Sequence, residues 1–116
     1  MRTREILRKA RRDGRTAGHN AASWVFDGNT TEETYRRILK GIEEGDPAVY
    51  TALNVPNLSG EWAGDDTPQT LAEAYELTES NDPDGERLQE AAEAWENAAS
   101  DAFWHEVERV ARYHLA

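Results

Sequence analysis

The chain has 116 residues, 13 basic and 23 acidic, giving a net charge of −10. That is the usual size of one domain and is enough for a core without staples, so a single helical domain over 1–116 is expected. The lack of cysteine removes disulfides, thiolate metal sites and cysteine nucleophiles, and no uncharged run approaches the ~20 apolar residues of a membrane span. Met1 is followed by Arg2, Arg4, Arg8 and Lys9 with no apolar stretch behind them. This predicts no secretory signal and a cytoplasmic location. Charge is uneven: residues 1–16 hold seven basic and two acidic side chains, and the other 100 hold six and 21. Such a split suits either a nucleic-acid arm or a basic helix docking on the chain's own acidic part.

The first segment, from about Thr3 to Phe26, reads as one strongly amphipathic helix. Ile6, Leu7, Ala10, Gly14, Ala17, Ala21, Trp24 and Val25 share an arc of about 100°. Arg4, Arg8, Arg11, Arg12 and Arg15 share the opposite one. Gly14 and Gly18 each cost roughly 1 kcal/mol of helix propensity relative to alanine. Close approach of another helix is the expected compensation. Gly28, in Asp27-Gly28-Asn29, suits a left-handed C′ position.

Thr30 to Glu33 reads as a capping box opening a second helix, with Tyr35, Ile38, Leu39 and Ile42 on one face and Gly45 at its end. Asp46-Pro47 opens a short third helix carrying Val49, Tyr50 and Leu53, which stops before Pro56. Residues 55–66 have no periodicity and read as a loop anchored by Leu58 and Trp62. Thr67-Pro68 opens a fourth helix to about Leu77, with Leu71, Ala74, Tyr75 and Thr78 facing inward. A turn over 79–85 leads to a last helix over about 84–115, roughly 45 Å long. Its apolar face is Leu88, Ala91, Ala92, Trp95, Ala98, Ala99, Ala102 and Phe103. The expected fold is therefore all-α with about five helices. The two long terminal ones pack together through small-residue seams, and three shorter ones cover them.

Beyond residue 103 the apolar pattern broadens. Phe103, Val107 and Val110 continue the seam, while Trp104, Ala111 and Leu115 form a second strip, with Glu106 nearer the apolar side than a lone carboxylate should be. This end of the helix needs two neighbours, the second from the chain itself or from another copy in a homodimer.

The Arg-rich start, AGHNAASWVFDGNT at 17–30, ILKGIEEGDPAV at 38–49, LSGEWAGDDTP at 58–68 and the acidic helical tail together resemble a group of small acidic proteins encoded by actinobacteriophages. The resemblance covers most of the chain. It implies a phage origin and expression in a bacterial cytoplasm, and it implies no catalytic residue.

Several constellations invite chemistry. His19, Ser23 and Asp27 recur on successive helical turns, but a hydrolase triad needs the base between nucleophile and carboxylate, and here serine is in the middle. Asp101, His105 and Glu108 could share a helix face as a partial metal site, yet the chain has no Glu-x-x-His pair of the di-iron kind. Asp82, Asp84 and Gly85 echo a calcium loop, but Ala91 falls where a bidentate glutamate is required. A helix-initiating turn explains them. Two glycosylation sequons, at Asn29 and Asn57, carry no weight without a signal peptide. No catalytic set, cofactor site or metal site is read from the sequence.

Trp62 and Trp104, with Ala111 and Leu115, are the candidate protein interface, since tryptophan is enriched at interface hot spots. The expected function is a non-enzymatic protein–protein interaction module acting on a host or phage protein through its acidic surface. The alternative is nucleic-acid binding through Arg4, Arg8, Arg11, Arg12 and Arg15. The charge of −15 on the remaining chain and the absence of interleaved aromatics oppose it.

Overall fold

The structure is a computed structural model that describes residues 2–23, 26, 30–45 and 67–116. The helix expected from Asp46, the loop with Leu58 and Trp62, and Trp24, Val25 and Gly28 lie outside the described residues. Among the described residues there are four helices and no strand: α1 (Thr3–Ala22), α2 (Glu32–Glu44), α3 (Thr67–Ala74) and α4 (Glu86–Leu115). The long terminal helices pack on each other, and α2 and α3 pack on α4. No described helix is long and apolar enough to cross a membrane.

The contact between α1 and α4 organises the fold. A methyl group built on Gly14 would overlap the backbone carbonyl of Trp95, and one built on Gly18 would overlap that of Ala99. The helices therefore touch backbone to backbone, which only glycine permits on the α1 side. Because 14 meets 95 and 18 meets 99, the two helices run parallel with a constant offset of 81 residues. The Arg87 guanidinium, donating to the Thr3 hydroxyl at 3.1 Å, ties their N-terminal ends together.

Both seams step by four residues. On α1 the buried positions are Ile6, Ala10, Gly14, Gly18 and Ala22. On α4 they are Ala91, Trp95, Ala99, Phe103, Val107 and Ala111, with Glu106 beside them. A four-residue step exceeds the 3.6 residues of a helical turn, so each seam drifts around its helix in the sense of right-handed winding. That drift corrects the expected face of α1. Ala17 and Ala21 are only partly buried, and Gly18 and Ala22 take the inner line.

The core has two parts. Near the N-terminal ends, Ile6, Ala10, Ala91, Trp95 and Ala99 pack with Leu71, Tyr75 and Leu77. Toward the other end, Ala22, Phe103 and Val107 pack with Ile38 of α2. Element ends differ from expectation in three places, each for a local reason. α1 stops at Ala22, where Ser23 caps it with its hydroxyl on the Asn20 carbonyl at 2.6 Å. The α2 cap is Thr31, not Thr30: its hydroxyl accepts from the Thr34 amide at 3.2 Å, one residue later than the capping-box pattern. Gly45 ends α2 in the left-handed region at φ 66°, as expected. Helix α3 stops at Ala74 because Glu76 turns left-handed at φ 56°. The Leu77 amide then donates back to the Ala72 carbonyl at 2.8 Å, and the Leu77 side chain enters the core while Ala74 and Thr78 stay exposed. Asp82 accepts from the amides of Arg87 and Leu88, both at 3.0 Å, so the calcium-like turn supplies acceptors to the first free amides of α4, whose N-cap position is Gly85.

Gly14→Ala and Gly18→Ala should each lower the melting temperature, although alanine is the better helix former. Overpacking against backbone has no flexible partner to yield, and a loss of at least 1–3 kcal/mol each is expected. Ala99→Leu, at a fully buried seam position, should act in the same direction. Thermal melts unchanged in all three variants would show that the two backbones do not meet.

Candidate functional site

The four-residue step sorts the side chains of α1 into lengthwise tracks. One faces α4. The next holds Leu7, Arg11, Arg15 and His19, and the one beyond it holds Arg4, Arg8, Arg12, Thr16 and Asn20. On α4 the matching tracks hold Ala94, Ala98 and Ala102, then Glu93, Asn97, Asp101 and His105. Between them lies an open groove of about 910 Å³. Its floor is Ala94, Ala98 and Ala102; one wall is Arg11, Arg15 and His19, the other Asn97, Asp101 and His105, with Thr16 and Asn20 on the rim. Alanine gives the groove its depth, and charge of opposite sign gives each wall its character.

The groove ends at a buried carboxylate. Glu106 is 7% exposed. Its Oε2 accepts from Arg109 Nε at 2.9 Å, its Oε1 accepts from Arg109 Nη2, and His19 Nδ1 lies 3.4 Å from Oε2. The Arg109 hydrogen bonds hold the Glu106 carboxyl below the usual carboxylate range, against the opposing effect of burial. Glu106 thus links α4 to α1 through its contact with His19, and its place near the apolar face follows from its partners. The spacing of Glu106 to Arg109, three apart on one helix, was a legible signal for this.

The arginine stripe is exposed. Arg12 pairs with its neighbour Asp13 at 3.4 Å, and Arg4, Arg8, Arg11 and Arg15 have no ion-pair partner among the described residues. The offset of 81 places residues 4–15 level with 85–96, which carry Glu86, Glu90, Glu93 and Glu96.

The candidate interface strip has an intramolecular neighbour. Ala111 is fully buried in this single chain, so it offers no free surface. Trp104 packs edge-on to Phe103 with ring centroids 5.0 Å apart, in the cluster that includes Ile38 and Ile42 of α2. Leu115 is half-buried. The second neighbour that this end of α4 requires is α2, held there also by Arg112 reaching Glu43 at 3.5 Å and by Tyr35 stacked on His114 at 4.7 Å. The Tyr35–His114 stack and the Tyr75 hydroxyl donating to Asp13 at 2.7 Å had no signal in local spacing. Burial, with that hydrogen bond, raises the Tyr75 phenol well above its ordinary value.

The suspected catalytic and metal sets do not assemble among the described residues. His19 turns to Glu106, Ser23 turns to its own helix end, and Asp27 lies outside them. Asp101 and His105 line the groove, whereas Glu108 is held by Arg112 at 2.8 Å. No group of three metal-ligating side chains occurs among the described residues. No protein-family model, curated protein or solved structure matches the chain.

The depressed Glu106 acidity makes stability depend on pH. Its contribution is present above the unfolded carboxylate value of ~4.3 and is lost as pH falls through the lower folded value. Glu106→Gln should therefore flatten the acid limb of a pH–melting-temperature profile between about pH 5 and the acid transition. A variant profile parallel to that of the parent throughout would remove Glu106 from the link.

Proposed function

We propose that the chain is a non-enzymatic interaction module that presents an acidic surface to a basic partner protein, in a bacterial cytoplasm and encoded by a phage. The observation that supports this reading is the ridge of Glu86, Glu90, Glu93 and Glu96 on the first turns of α4. All four are exposed, and none has an ion-pair partner among the described residues. They fall within about 15 Å of helix axis, against one phosphate per ~3.4 Å along a DNA strand. The ridge is thus a dilute polyanion, and nucleic-acid mimicry is its specific form.

The exposed arginines favour a second reading, binding of nucleic acid. Against it, a phosphate backbone approaching α1 meets the glutamates of α4 at the same level. One experiment separates the two. Capture from actinobacterial lysate with and without nuclease should retain a basic protein in both arms, and replacing the four glutamates by glutamine should abolish it. Gel shifts should show no DNA or RNA binding at physiological salt. A shift whose log–log salt slope falls when Arg8, Arg11 and Arg15 become glutamine would reverse the order, because the slope is roughly −0.9 per phosphate contacted.

A further inference from the structure

We propose that the groove between α1 and α4 is the docking face for a second copy of this chain, related by a two-fold axis running along the helices. The argument is charge complementarity combined with register. One wall is basic, Arg11 and Arg15, and the opposite wall carries Asp101, with Glu93 one turn before Asn97 on the same track. A two-fold axis across the helices would lay α1 on α1 and set arginine on arginine. An axis along them lays each α1 on the partner's α4, and basic meets acidic twice.

Rotation about an axis along the helices leaves every residue at its own height, so the offset of 81 between α1 and α4 also applies between copies. Arg11 then stands level with position 92 of the other copy, beside Glu93, and Arg15 with position 96, between Glu93 and Asp101. Arg11 and Arg15, two of the arginines without an ion-pair partner among the described residues, gain carboxylates in the pair. The alanine floor lets the second pair of helices settle closely, giving a four-helix bundle.

The groove lining runs from Ala94 to His105 on α4, about 16 Å of helix axis, so two helices about 10 Å wide present roughly 320 Å² per copy, below the range of stable specific interfaces. The dimer is accordingly a weak one, measured by sedimentation equilibrium over about 5–200 µM at 150 mM salt. The expected result is a mass rising from 13.1 kDa toward twice that value. Ala98→Glu and Arg15→Glu, both on the groove surface, should each weaken association by about tenfold or more while melting cooperatively as the parent does. Adding Asp101→Arg to Arg15→Glu should restore it by reversing the pair. A monomer throughout the range overturns the proposal and leaves the groove to a different partner. A dimer indifferent to both single substitutions overturns it as well, placing the contact on another face.

Discussion

Two backbones in contact leave little freedom to anything around them. Once Gly14 and Gly18 lie on the carbonyls of Trp95 and Ala99, the helices are parallel, their register is set, and the residues flanking the seam must be small or directed away. Dispersion between close-packed atoms replaces the larger hydrophobic side chains that a conventional core would use. The alanines of α4 follow from this. Trp95 and Phe103 are the large side chains on its seam, each buried against a cluster that includes a shorter helix.

Parallel packing has an electrostatic consequence. It sets two helix N-termini side by side, each carrying partial positive charge, and adds the arginines of α1 at the same end. Glu86, Glu90, Glu93 and Glu96 at the start of α4 stand at the same level. At the other end the arrangement changes character. There a buried carboxylate is bonded to Arg109 and lies against His19, so the joint is local and specific. Breaking it would leave a charge stranded at 7% exposure.

The shorter helices explain which surfaces remain. Leu71 of α3, with Tyr75 just beyond the helix end, covers one side of the terminal pair near its start, and α2, through Ile38, covers the pair near its end. Between the terminal helices, the side lined by Ala94, Ala98 and Ala102 stays open as the groove. The apolar excess near Trp104 and Ala111, which implies a partner, is absorbed by α2. Among the described residues, the uncovered face is instead one whose charged walls disguise its alanine floor.

The helical class, the long terminal helices, their mutual packing and the small-residue character of the contact are legible in the residues alone. Propensity, capping and apolar periodicity are local properties, and Gly14, Gly18, Gly45 and the run from Glu86 to Leu115 state them openly. Glu106 is legible there too, as an anomaly that needed partners. The direction of packing, the four-residue step that moves Gly18 and Ala22 inward, and the neighbour of Trp104 and Ala111 arise in the folded chain alone. A fixed arc on a helical wheel assumes that the contact runs straight along the helix. A contact made by backbone follows the drift of the seam, and that drift exists only when both helices are present. The shift of the α2 cap from Thr30 to Thr31 and the early end of α3 at Ala74 are instead local, set by the Thr31–Thr34 bond and by the left-handed turn at Glu76. Thr34 and Leu77 are drawn to geometry that a short pattern does not encode.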